Sequence, residues 1–361
     1  MIRFGLFSHL IQKEIIFNNE IQYNNEEQKV TFTDNSDYDQ DLSVVGEIQS
    51  RYLVTLVISS NINKIVPLKS FQYVKTVEIA STRITSIPPF TFKDCRRLTK
   101  VLLPSSITTI GDLSFYNSSI SEIDLSHVTS IGLYSFYFCN NLITIDISSV
   151  STLNNYCFSF SGLTSLTFPG TFRVIPYYAF YKCSNLTTVT LGSSITQIYD
   201  FAFSFTKISS ISLPQTIENI GKSFSHTMIT ELSIPQYCDS IYILSPIESL
   251  QKLTVLDAAT KVTCINQPNL ETVELPTGFN PEKFFFTNYQ KLKTISNTNS
   301  IEKIVYRCFY NCRSLKNFDA SSCSYFGAEC FKFCENLETI QFSEETTELN
   351  NNNNKCDFFL N

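Results

Sequence analysis

The 361-residue chain has no tryptophan, only three histidines and only ten glycines. With so little glycine it has no glycine-rich loop able to cradle a phosphate. The histidines, His9, His127 and His226, stand in no pattern that sets a base beside a nucleophile, so no Ser-His-Asp or Cys-His arrangement can be drawn. Clusters of Lys and Arg are absent and the net charge is −6, which argues against nucleic acid, because neutralising phosphates needs grouped cations. No run approaches the ~20 apolar residues of a membrane span. The opening MIRFGLFSHLIQKEIIF is broken by His9, Gln12 and Lys13, too soon for the continuous core of about 7–15 residues that a signal peptide needs. Cys356 stands too far from the last residue for a prenylation box.

What remains is apolar and aromatic: 43% hydrophobic, 17% charged, with 31 Phe and 18 Tyr. That excludes a disordered chain. The stretches YSFYFCNNLITIDIS (134–148), YAFYKCSNLTTVTLG (178–192), RCFYNCRSLKNFDAS (307–321) and ECFKFCENLETIQFS (329–343) align without a gap. The chain therefore repeats itself. An anchor of the pattern L-x-x-[VIL]-x-[LIF] recurs at fourteen places from Leu53 to Leu337, mostly 21 to 24 residues apart, including Leu142 and Leu186. Its alternation predicts a strand. Upstream lies a second apolar block, [IL]-x-x-x-small-Phe, carrying Phe115, Phe136, Phe158, Phe180 and Phe203. A short turn or 3₁₀ segment fits it, since a full helix has no room in a coil of this length.

One such coil has too few large side chains to offset ordering costs near 1.5 kcal/mol per residue. Neighbouring coils must close the core together, with strands about 4.8 Å apart. The fold expected is a solenoid, mainly β or α/β, of about 14 coils of ~22 residues, each with one short parallel strand and one short turn or 3₁₀ segment. Residues 1–44 are read as an N-terminal cap with an acidic loop, 45–345 as the solenoid and 346–361 as a disordered Asn-rich tail. The solenoid is irregular at 236–290, where the anchor step shrinks to 17 and PTGFNPEKFFFTNYQKL sets Phe284, Phe285 and Phe286 in a row.

The unit I-x-x-I-G-x-x-[SA]-F-x-x-C-x-x-L-x-x-[VI]-x-L-P, fullest in ITTIGDLSFYNSSISEIDLS (107–126) and ITQIYDFAFSFTKISSISLP (195–214), resembles the BspA-like class of leucine-rich repeat. That class is common in surface antigens of anaerobic protists and bacteria. The resemblance implies a repeat-built binding surface at the cell surface, with adhesion to a host or matrix protein. The missing span and weak leader favour an intracellular scaffold on the same solenoid. An enzyme would need a module that residues 1–44 are too few to hold, and no cofactor is expected.

The twelve cysteines fall on the repeat. Cys95, Cys139, Cys183, Cys312 and Cys334 precede an anchor by three residues, a site that His226 also occupies by that count, while Cys157, Cys308 and Cys330 fill the small position before Phe. Inward packing of thiols is the favoured reading. Disulfides between neighbouring coils and a four-thiolate zinc site at Cys308, Cys312, Cys330 and Cys334 are the alternatives. Asn117 and Asn185 head glycosylation sequons.

Between the apolar strand positions, side chains should face outward. They are mostly Thr and Ser, with eight acids and one Lys. The candidate ligand-binding residues are Glu122, Asp124, Thr144, Asp146, Glu231, Asp257, Glu274 and Asp319, a weakly acidic face for a basic protein segment or a glycan. The bland reading of the same residues is a soluble strand surface. No metal site is assigned.

Overall fold

A computed structural model describes residues 14–17, 21–24, 29–32, 55–60, 62, 65, 74–236, 238, 240–243, 246–256, 261–264, 267–281 and 285–343. The acidic loop, the Asn-rich tail and Asp257 lie outside the described residues. The chain divides into two compact units, Met1–Leu163 and Thr164–Asn361.

In the first unit, strands Glu14–Phe17, Ile21–Asn24 and Lys29–Phe32 form an antiparallel meander. Its last strand pairs in parallel with Thr55–Ile58, and Thr76–Ile79, Lys100–Leu102 and Glu122–Ile123 continue that sheet one coil at a time. A second parallel sheet holds Ser86–Ile87, Thr109–Ile110, Ser130–Ile131 and Thr152–Leu153. The second unit repeats the plan. Glu231–Ile234, Lys252–Val255, Thr272–Glu274 and Thr294–Ser296 pair in register on one face. Val174–Ile175 with Gln197–Ile198 and Lys303–Ile304 with Tyr325–Phe326 pair on the other.

Each unit is thus a parallel β-solenoid, and two expectations need correction. Most coils carry two short strands rather than one, because the Ile that opens the small-Phe block is itself in a ladder. Strands occupy twelve of the fourteen anchor positions, the exceptions being the segments after Leu142 and Ile208, and the register Leu232–Leu253–Val273 moves the tenth anchor from Leu253 to the buried Leu250, so that the irregular steps of 24 and 17 become 21 and 20.

Of the two forms expected for the block, a turn or a 3₁₀ segment, it takes the turn. Two residues before and two after the core Phe, the backbone takes positive φ, as at Leu113 and Asn117 around Phe115 and at Tyr134 and Phe138 around Phe136. This resets the chain so that alternate N–H groups point along the stack. Phe92, Phe115 and Phe136 donate to the carbonyls of Ser114, Ser135 and Cys157 in the following coil, at 2.6, 2.8 and 2.8 Å. The residues between them close local turns, Tyr116 donating to Leu113 and Ser118 to Phe115. At the strand edges the direction is opposite: Glu122 donates back to Thr99 and Gly132 back to Ile110. Every set satisfies polar backbone that burial would otherwise penalise.

Inside, the rings Phe92, Phe115, Phe136 and Phe158 stack at 5.1, 5.0 and 5.2 Å. Phe180, Phe203 and Phe224 stack at 5.4 and 5.7 Å, and Phe286, Phe309 and Phe331 at 5.1 and 5.2 Å. Leu142 and Leu186 are fully buried beside them. Phe286 therefore restores the block inside the irregular region, and Phe285 takes the position that is small elsewhere.

The ten cysteines whose side chains are described are buried thiols. They do more than fill space: Cys139 donates its S–H to the Phe115 carbonyl at 3.1 Å, Cys312 to Phe286 at 3.0 Å and Cys334 to Phe309 at 3.0 Å. Where the coil is one residue shorter, Thr206 and Thr227 take that place, and their hydroxyls reach the Phe203 and Phe224 carbonyls of their own coil. His226 is thereby corrected. It sits one residue earlier, at φ 55°, half-exposed, stacked on Phe205 at 4.3 Å with Nδ1 3.4 Å from Glu248. Counting back from the anchor overlooked the shortened turn. Among the described residues no three His, Cys, Asp or Glu converge as metal ligands.

Burial pushes the Cys139 thiol from 9.0 up to about 12. Nine of the ten buried thiols are therefore expected to react with Ellman's reagent at pH 8 only after unfolding, Cys334 being set apart because its hydrogen bond with Cys312 lowers its pKa. With twelve cysteines in the chain, fast titration of more than three on native protein would contradict this. A thiol pKa raised by folding contributes fully below 9 and its contribution is lost as pH rises toward 12. Stability should accordingly decline above pH 9, read by denaturant melts between pH 7 and 11.

Candidate functional site

On the strand face of the first unit the ladder stops at Glu122–Ile123. One coil later the chain runs through Thr144, Ile145 and Asp146 without a strand, and their N–H groups have no hydrogen-bond partner among the described residues. The cause is not in the core, where Phe115 and Phe136 keep a 5.0 Å spacing. The strands part only at the surface.

The gap is a depression of about 660 Å³. Its floor comes from the inward column. Val101 is buried as usual, but Ile123 and Ile145 are half-exposed, and Leu102 beside them is 45% exposed. Lys100, Glu122, Asp124, Thr144 and Asp146 form the rim. An apolar floor, a few polar groups and unpaired backbone donors together make a surface able to take an extended peptide.

Four of the eight residues expected on the binding face meet here. Glu122 pairs with Lys100 at 2.7 Å. Asp124 and Asp146 each accept the N–H two residues on, from Ser126 and Ser148, both at 2.8 Å. That backbone hydrogen bond holds the Asp124 carboxyl below its ordinary range. Thr144 is exposed on the rim.

The structure does not bring the others to this place. Glu231 is exposed beside Lys252, its register partner. Glu274 accepts from Lys252 Nζ at 2.8 Å and from Thr254 Oγ1 at 2.8 Å, and the Lys252 ammonium lowers its pKa. Asp319 closes a turn onto Ser321 N–H at 3.0 Å. Lys252, missing from the count of outward residues, thus partners Glu274, and Lys293 pairs likewise at 2.7 Å with Glu271, an acid outside that count. Exposed pairs of this kind add little to stability, because water screens both charges. They make the face less acidic than its strand positions imply.

Coils closed by a stacked Phe and bordered by a parallel strand with an alternating apolar pattern define a leucine-rich-repeat protein. Within that class the chain belongs to the BspA type leucine rich repeat family, whose model matches residues 64–184, 151–264 and 260–356. None of the curated proteins compared with the chain matches it. Among solved structures it is similar to a leucine-rich repeat protein from Bacteroides ovatus, with 16% identity over 92% of this chain and 94% of that one and a TM-score of 0.54. A leucine rich cell surface protein from Faecalibacterium prausnitzii aligns at 18% identity over 91% and 94% of the two chains, with a TM-score of 0.39. At these identities the first likeness shows the fold. Among the described residues no helix is long and apolar enough to cross a membrane.

Proposed function

We propose that the chain is a non-enzymatic binding module whose strand-face depression at residues 100–146 takes an extended segment of another protein, and that it serves at the cell surface as an adhesin-like antigen. The observation that carries the binding reading is the lapse of the ladder between Glu122–Ile123 and Thr144–Asp146, which leaves backbone donors and half-exposed isoleucines side by side. A peptide strand could engage the donors through its carbonyls while its side chains settle on Ile123 and Ile145. The surface role rests on the family's usual setting. The buried thiols support the second reading, an intracellular platform on the same solenoid.

Selection of a random peptide display library on the purified chain tests the site. Peptides recovered on the native protein should bind an Ile145→Asp variant at least tenfold more weakly, with Thr144→Arg intermediate. Binders indifferent to both changes would place recognition elsewhere. Surface biotinylation of intact cells decides between the two settings, since labelling is expected at the surface and none for a platform inside.

A further inference from the structure

In the unit that begins at Thr164, the turns around Phe180, Phe203 and Phe224 carry a band of rings and cations that the core does not use. Outside the inner Phe stack, Tyr177 stacks on Tyr199 at 4.5 Å, Tyr178 on Phe201 at 5.1 Å and Phe205 on His226 at 4.3 Å. Lys182 Nζ lies 5.4 Å from the Tyr181 ring centre and 5.5 Å from that of Phe205, and Lys222 Nζ lies 5.9 Å from Phe201.

The residue types are unexpected for the backbone they occupy. Tyr178, Phe201 and Phe205 have φ of 56°, 60° and 60°, a region that Gly, Asn and Asp enter readily and bulky side chains enter at a cost. Asn117, Asn288 and Asn311 show the alternative, filling the position two after the core Phe in other coils. Ring stacking offsets part of the cost, yet it leaves Tyr177 42% and Phe205 39% exposed.

Rings stacked at interplanar angles of 7°, 20° and 22° each cover one face of their partner. The ammonium groups of Lys182 and Lys222 beside them favour a carboxylate. Of the acids around the band, Asp200 accepts the Lys222 backbone N–H at 2.9 Å and Glu248 lies 3.4 Å from His226.

We propose that this band is a second binding surface, separate from the strand-face depression, and that it takes an acidic protein segment in which carboxylates alternate with apolar side chains. The carboxylates pair with Lys182 and Lys222, and the apolar groups cover Tyr177 and Phe205, the type of exposed aromatic that anchors interfaces.

Fluorescence anisotropy with a labelled peptide of alternating Glu and Phe, against its Lys and Phe counterpart, tests the assignment. The acidic peptide should bind at least tenfold tighter than the basic one. The double change Lys182→Glu, Lys222→Glu should remove that preference. Phe205→Asn, suited to the left-handed backbone, should weaken binding about tenfold with its melting temperature kept, and Ile145→Asp should alter nothing. Equal binding of the two peptides, or an unaffected double variant, overturns the proposal. So does displacement of the acidic peptide by phosphatidylserine vesicles or single-stranded DNA at lower concentration than by excess unlabelled peptide, since a membrane or a nucleic acid would then be the better ligand.

Discussion

Replacing Phe136 by alanine is expected to lower the free energy of unfolding by about 3–5 kcal/mol. The ring is wholly buried and lies between Phe115 and Phe158 at 5.0 and 5.2 Å, with interplanar angles of 3° and 6°. Its removal forfeits two stacking contacts, worth roughly 0.5–1.5 kcal/mol each, and opens a cavity that the coils above and below cannot fill, because their spacing is fixed by backbone bonds from Phe115 to Ser135 and from Phe136 to Cys157. Urea titration measures the total. Hydrogen exchange locates it: amides at 114–118 and 157–161 should lose protection while Thr76–Ile79 keeps its own, as a quasi-one-dimensional core requires. Uniform loosening of the whole unit would refute that picture.

The opposite sign is expected for Ser114→Ala, Ser135→Ala and Ser223→Ala combined. These serines fill the small position before the core Phe, are fully buried, and have side-chain oxygens with no hydrogen-bond partner among the described residues. A hydroxyl taken from water and left unpaired costs about 1–3 kcal/mol. Ala179 and Ala202 hold the same position in the next coils, fully buried, so the methyl group fits. A gain near 1 kcal/mol per site, about 3 kcal/mol in total, should appear as a higher denaturant midpoint. Ser114 and Ser135 occupy successive coils, and their double variant against the singles reports any coupling. No rise in midpoint would mean that the hydroxyls find partners after all.

The solenoid was legible because several positions recur together: no single Phe would have revealed it, but Phe115, Phe136, Phe158, Phe180 and Phe203 with their anchors did. The second strand of each coil was not legible. It is two residues long, as in Thr109–Ile110, and alternation cannot show itself in two residues. The left-handed turn residues were hidden for another reason, since their usual marks are Gly and Asn and here they are largely Tyr and Phe. The outward placement of Glu122, Asp124, Thr144 and Asp146 followed from strand alternation. The depression did not, because ITIDIS alternates as well as any coil that keeps its ladder. Only the spatial relation of neighbouring coils distinguishes it.

The opposed directions of the backbone bonds bear on how such a chain can vary in length. In an α-helix the peptide dipoles align and leave about half a charge at each end. Here the turn N–H groups of Phe92, Phe115 and Phe136 point toward later coils, and those of Glu122 and Gly132 point toward earlier ones. The two sets of dipoles oppose each other within every coil. Each coil therefore adds little net dipole, and an array of any number of coils ends without the partial charges that a helix must have neutralised at its termini.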